Sequence, residues 1–116
     1  STSIAKKNFA YFKSQFCLVG HSNVPLVFSY SKSGACSSSQ FLTNVGFAPG
    51  KNRLIINTSG VGQPRDGDPR TSYAIYDSEI RQIRLYRVPY DIHSTQDRMV
   101  KCGLPISLVA RLSHGV

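Results

Sequence analysis

Arg53-Leu54-Ile55-Ile56-Asn57-Thr58-Ser59-Gly60-Val61-Gly62-Gln63-Pro64-Arg65-Asp66-Gly67-Asp68-Pro69-Arg70 joins two kinds of chain in eighteen residues. Leu54-Ile55-Ile56 is apolar on both faces of an extended strand, which reads as a strand buried in the middle of a sheet. From Thr58 to Arg70 there are three glycines and two prolines and no apolar run. A structureless connection of that length in a compact domain is usually a functional loop. Its backbone amides and its arginines suit an anion. The structural alternative is an ordinary loop in which Asp66 and Asp68 pair with Arg65 and Arg70. The residues alone leave the two readings even. Asp66-Gly67-Asp68 lacks the remainder of a calcium loop, so calcium is set aside.

Upstream, Ala5 to Phe16 reads as a helix, because Phe9, Phe12 and Phe16 recur at spacings of three and four among lysines. Phe16-Cys17-Leu18-Val19 is a short apolar strand ending at Gly20. Pro25 restarts the chain, and Leu26 to Tyr30 is a second strand. Turn residues from Ser31 to Gly34 lead to a third, about Cys36 to Leu42, completing a hairpin. Asn44 to Asn52 reads as a loop. Downstream, Ser72 to Tyr76 and Ile80 to Val88 form strands around the turn Asp77-Ser78-Glu79, with Ile83 and Leu85 on one face and Gln82 and Arg84 on the other. Ser94 with Asp97 reads as the start of a helix that Gly103 ends. A last helix follows Pro105, with Leu104, Leu108, Val109 and Leu112 as its apolar stripe. The fold class is therefore mixed α/β, mostly strands, with a helix at the start and two short helices at the end.

The composition narrows the classes. With 41% hydrophobic and 17% charged residues, the chain is expected to pack a core. No apolar run approaches a membrane span, and no leader pattern opens the chain, so a soluble, cytoplasmic protein is expected. Three cysteines at wide spacings, without a C-x-x-C, argue against a disulfide framework and against a cysteine-type zinc site. The net charge of +8 points to phosphates, nucleic acid or an acidic surface, or to a fragment separated from its acidic complement. Arg81, Arg84, Arg87, Arg98, Lys101 and Arg111 lie near Tyr73, Tyr76, Tyr86 and Tyr90, an interleaving that suits single strands of nucleic acid. A solvated basic strand face is the plainer reading of the same residues, and no recognised RNA-binding motif is present.

One histidine stands apart. In Leu18-Val19-Gly20-His21-Ser22-Asn23-Val24-Pro25, His21 sits just beyond a buried strand, where loop-layer sites are built. By residue physics alone such a histidine is more often hydrogen-bonded than a ligand.

Together these stretches resemble the calcineurin-like metallophosphoesterases, in particular a branch of small phosphodiesterase-like bacterial and archaeal members. That family carries a late G-H-x-H motif at a strand end. The branch continues with a strand, N-P-G-S-V-G-Q-P-R, then D-G-D-P-R, a strand of the type S-Y-A-I-Y-D, and an arginine-rich strand ending in V-P-Y-D. Here the chain reads Val61 to Arg70 as quoted, then Ser72-Tyr73-Ala74-Ile75-Tyr76-Asp77, then Arg87-Val88-Pro89-Tyr90-Asp91. The similarity runs from about Asn8 to Gly115. It implies the C-terminal half of an α/β/β/α sandwich, with residues 1–116 as one partial domain. It also implies divalent metal ions (Mn, Fe, Ni, Zn or Mg) that clamp a phosphate and activate water for in-line attack.

Carried onto this chain, the resemblance makes His21 a metal ligand. Asn23 stands where the family has a second histidine, and its amide oxygen is a weaker ligand for transition metals. Asn57, Ser59, Gly60, Gln63 and Arg65 are candidates for the loop beside the phosphate. Thr58-Ser59-Gly60 replaces the family's P-G-S. The family's earlier D-x-H, G-D and G-N-H groups have no counterpart, and His93 and His114 read as surface residues. The expectation is a phosphoesterase segment that is inactive by itself. Its partner would be a missing N-terminal half, or another chain, on an exposed apolar face; a homodimer is a further possibility. The alternatives are a degenerate, non-catalytic structural or binding subunit and a nucleic-acid-binding module.

Overall fold

The computed structural model describes all of residues 1–116. Helix α1 (Thr2–Asn8) runs into a 3-10 turn at Phe9–Tyr11. Seven strands follow: β1 (Phe16–Val19), β2 (Pro25–Tyr30), β3 (Cys36–Gln40), β4 (Gly46–Phe47), β5 (Arg53–Thr58), β6 (Thr71–Asp77) and β7 (Gln82–Val88). Helices α2 (Ile92–Lys101) and α3 (Ile106–His114) close the chain. The strands form two sheets, β1-β5-β2-β3 and β4-β7-β6. The chain is a mixed α/β fold, built mostly of strands in these two sheets.

The central position expected of Leu54-Ile55-Ile56 is observed. β5 pairs in parallel with β1 and antiparallel with β2. Its period of two sends neighbours to opposite faces. Leu54 and Ile56 join Val27, Phe41, Ile83 and Leu85 in the core between the sheets. Ile55 turns outward and packs with Ala5 and Phe9 of the helical segment. Thus α1 covers the outer face of the first sheet, and β7 contributes Ile83 and Leu85 from the second.

Three local readings are corrected. The helix does not extend to Phe16. It ends at Asn8 and tightens through one 3-10 turn, and Phe12 is extended with φ −140° and ψ 156°. The spacing of the phenylalanines imitates a helical stripe, but Phe9 and Phe12 pack on the helix side while Phe16 packs on the core between the sheets. Arg53 holds the turn in place. Its guanidinium donates to the Phe12 carbonyl and lies 4.5 Å from the Phe12 ring centroid. Secondly, the segment Asn44 to Asn52 contains the two-residue strand β4, pairing with β7. Thirdly, Ser94 does not cap α2. Asp91 does, accepting from the Ser94 amide at 3.0 Å and the Ser94 hydroxyl at 2.8 Å.

No helix is long and apolar enough to cross a membrane. The cysteines are free.

Candidate functional site

Because β1 and β5 are parallel, their C-terminal ends emerge side by side. The loop after β1 carries His21 and Asn23, and the loop after β5 carries Ser59 and Gly60. Three of these residues hold the left-handed backbone that L residues rarely adopt: His21 at φ 78°, Asn23 at φ 57° and Ser59 at φ 71°. Such conformations cost free energy and persist only where surrounding contacts impose them.

The contacts are polar and continuous. Asn57, at the end of β5, is 6% exposed. Its side-chain amide donates to the Gly20 carbonyl at 3.1 Å and to Ser22 Oγ at 2.7 Å. Its Oδ1 accepts from the Ser59 amide at 2.9 Å. Ser59 Oγ donates to the Asn23 carbonyl at 2.9 Å, and the Arg65 amide donates to the same oxygen at 2.9 Å. From β6, Ser72 Oγ donates to the Thr58 carbonyl at 2.7 Å and approaches the Gly60 carbonyl at 3.3 Å. Every buried polar group of this brace is satisfied, so it specifies one arrangement of the two loops. The Asn23 side chain lies so close over Gly60 that a Cβ added there would stand 3.0 Å from Asn23 Oδ1. A side chain at Gly60 would therefore have to push the Asn23 side chain aside by a few tenths of an ångström.

Of the sequence candidates, His21, Asn23, Asn57, Ser59 and Gly60 gather here. Asn57 and Ser59 are spent on the brace. His21 is exposed, and its imidazole makes no hydrogen bond within the chain. Gln63 and Arg65 lie further along the loop and bond to each other, Arg65 Nη2 to Gln63 Oε1 at 3.3 Å. His93 and His114 are exposed and distant from this mouth in sequence and element, His93 lying 3.7 Å from Asp97 on α2.

The acidic residues of the long loop pair in part as expected. Asp68 accepts from Arg70 Nη2 at 2.6 Å and from its Nε at 2.9 Å. Those bonds hold the Asp68 carboxyl down at about 2, with the guanidinium's hydrogen bonding the largest cause and partial burial opposing it. Asp66, however, pairs with Arg87 of β7 and not with Arg65. The Arg87 side chain is 2% exposed, and its Nη1 also donates to the Arg70 carbonyl at 3.1 Å. Sequence reading missed Ser22 and Ser72, which act through hydrogen bonds to distant parts of the chain that no local pattern announces. Arg87 looked like one member of a basic strand.

For a divalent metal pair the fit is partial. The mouth offers one free imidazole, His21, and one amide oxygen, Asn23. Nowhere in the chain do three His, Cys, Asp or Glu side chains lie together. The set suits one edge of a metal shell, with the remaining donors coming from elsewhere.

No family model matches the chain. It is similar to a crystal structure of a metallophosphoesterase from Sphaerobacter thermophilus, with 42% identity and a TM-score of 0.89. That match covers 97% of this chain and 48% of the neighbour. It is also 36% identical over 99 residues to an uncharacterized protein of Methanocaldococcus jannaschii, covering 84% of this chain and 38% of the relative. The chain thus spans less than half the length of either.

Proposed function

We propose that the chain is the C-terminal half of a metal-dependent phosphoesterase whose remaining metal ligands lie in a complementary half, a reading supported by its 42% identity and TM-score of 0.89 to a metallophosphoesterase. The observation that carries this reading is the mouth itself, where two parallel strands end together and an unpaired imidazole is held on a strained, fully braced backbone. Strain of that kind is retained where position matters.

In this reading His21 donates an imidazole nitrogen to a metal, and Asn23 adds a weaker oxygen. When bound, the divalent metals polarise the phosphoryl oxygens and make water a nucleophile near neutral pH. The chain's own groups position and do not react. Asn57 anchors the Gly20 carbonyl and Ser22, which fixes the backbone on either side of His21. Ser59 and the Arg65 amide hold the Asn23 carbonyl. Arg65, exposed beside the mouth, suits a phosphate oxygen.

The test is release of nitrophenolate from bis(p-nitrophenyl) phosphate with manganese. The chain alone is expected to give no metal-dependent turnover. Co-expressed with a complementary half, it is expected to give manganese-dependent turnover that His21→Ala lowers by more than roughly 10- to 100-fold, the range for losing a group that merely orients a metal ligand. Turnover by the isolated chain that vanished in His21→Ala would overturn the incomplete-site reading. A folded, complete assembly without turnover would favour the second reading, a non-catalytic subunit, for which Asn23 in the family's histidine position speaks.

A further inference from the structure

At the end of the first sheet away from His21, basic residues converge. β2 and β5 run antiparallel in the register Pro25↔Thr58 to Tyr30↔Arg53, so Tyr30 and Arg53 close the sheet opposite the mouth. The β2–β3 turn carries Lys32 there, and the turn before β5 carries Lys51. Between them lies a hollow of about 270 Å³, lined by Tyr30, Ser31, Lys32, Lys51 and Arg53. No carboxylate lines it, and no ion pair of the chain involves its three cations. The sequence holds no Asp or Glu before Asp66, so neither α1 nor the first sheet can supply one. Cations gathered without a counter-charge repel one another, and an anion among them relieves that repulsion.

The frame around the hollow is fixed. The Arg53 guanidinium donates to the Phe12 and Ser14 carbonyls and lies over the Phe12 ring, which pins the head group and leaves its Nη1 free. Lys51 sits between the Gly50 and Asn52 carbonyls, and both accept from the Gln15 side-chain amide, at 2.8 and 3.1 Å. The Asn52 side chain donates to Ser29 Oγ at 3.0 Å, tying that turn to β2. In the β2–β3 turn the Ser31 amide donates to the Ala35 carbonyl at 2.9 Å, and the Gly34 amide to the Ser31 carbonyl at 3.0 Å. The Tyr30 ring stacks on Phe9 with centroids 5.1 Å apart, and its hydroxyl adds a donor. Groups already held in place lose little freedom on binding, which favours a compact ligand over a loose cloud of ions.

We propose that this hollow binds a compact phosphate anion of several negative charges, an oligophosphate or the phosphate chain of a nucleotide. Lys32 and Lys51 bring charge and donors from two turns, and Arg53 brings a planar, anchored guanidinium. The hollow is just under the roughly 300 Å³ at which small-molecule sites begin, which suits a short phosphate chain. The site stands apart from the phosphoesterase reading, since His21 and the mouth take no part in it.

The probe is inorganic triphosphate, titrated into the 116-residue chain without added metal and followed by calorimetry and by the melting temperature. One-to-one binding is expected. Lys32→Gln and Lys51→Gln are each expected to weaken it about tenfold, the worth of one charged hydrogen bond, and to leave the melting temperature of the free chain unchanged. Arg98→Gln combined with Lys101→Gln removes two exposed charges from α2 and is expected to change the affinity by less than about twofold, because salt screens distant charges. No heat and no rise in melting temperature at millimolar triphosphate overturns the proposal. So does an α2 variant as weak as Lys32→Gln combined with Lys51→Gln, which would mean diffuse attraction to net charge. Binding lost in Arg65→Gln and kept in Lys51→Gln would place the anion at the mouth and also overturn it. A single-stranded oligonucleotide that binds through Lys32 and Lys51 where triphosphate does not would replace the proposal with a nucleic-acid surface. Where triphosphate binds as expected, ATP separates the two sources. Equal or tighter binding of ATP assigns the hollow to a nucleotide, and weaker binding to an inorganic oligophosphate.

Discussion

The two sides of this sandwich end differently. On the β3/β4 side the chain crosses from one sheet to the other. Phe41 is 3% exposed, Thr43 bridges to Leu85, and the Asn44 amide donates to the Leu85 carbonyl at 2.8 Å. The edge strand there is a row of serines. On the β1/β6 side only the 59–70 loop crosses, from β5 to β6 at one end, and the free edge of β1 is apolar. The first is a polar edge and the second an apolar one, and the difference lies in the side chains, since only the apolar edge has the chemistry that recruits a further strand.

The largest expected effect tests that contrast at a single pair. Leu18 and Ile56 are register partners on adjacent strands, yet Ile56 is fully buried and Leu18 is 64% exposed. Ile56→Ala is expected to cost about 3–4 kcal/mol by urea unfolding of the isolated chain, the range for a truncated core residue. Leu18→Ala is expected to cost no more than about 0.5 kcal/mol in the same experiment. Within a complex that covers β1, its cost is expected to rise to about 2 kcal/mol. A Leu18→Ala variant as damaged as Ile56→Ala in the isolated chain would mean that β1 is not an open edge.

The next effect contrasts two ion pairs of the long loop. Arg87 is buried against Asp66 and the Arg70 carbonyl, and its Nε, 3.9 Å from Asp68, has no hydrogen-bond partner. Arg87→Ala leaves a cavity and a partly buried carboxylate without its cation, and is expected to cost about 3 kcal/mol. It should also make the 59–70 loop the first site of limited proteolysis. Arg70→Ala removes the exposed partner of Asp68 and is expected to leave the protease pattern unchanged. Equal sensitivity in the two variants would refute the distinction.

What the sequence disclosed follows the same division. Strands with unambiguous chemistry, Leu54-Ile55-Ile56 above all, were placed correctly, because an apolar run between turn residues has few other uses. The phenylalanines before β1 misled, since three aromatics at helical spacing also suit a chain that turns and distributes them to two faces of a sheet. Asp91 was overlooked as a cap because Ser94 offered an equally good local pattern. At the mouth, His21 and Asn23 were legible only through resemblance. The brace that positions them ties Asn57, Ser59 and Ser72 to one another and to the Gly20–Asn23 loop over separations of as much as 37 residues. No window of sequence contains that information.

The smallest expected effect is in acid. Arg70, donating through its side chain and backbone, keeps the Asp68 carboxyl at about 2, against an ordinary 3.8. A carboxyl whose folded value is depressed contributes stability that is fully present above its unfolded value. That contribution drains away as pH falls toward the folded one. The window is therefore from about pH 4 down to about pH 2. Asp68→Asn removes the titrating group, so the variant is expected to lose less stability than the parent across that window, while at neutral pH it starts slightly lower. Urea midpoints at several pH values read both. The difference should be modest, because the Arg70 side chain is 48% exposed and solvent screens the pair. If the acid slopes of parent and variant coincided, Asp68 would contribute nothing to folding. The hold of the long loop would then rest on Arg87 and Asp66, strengthening the contrast between its buried and exposed ion pairs.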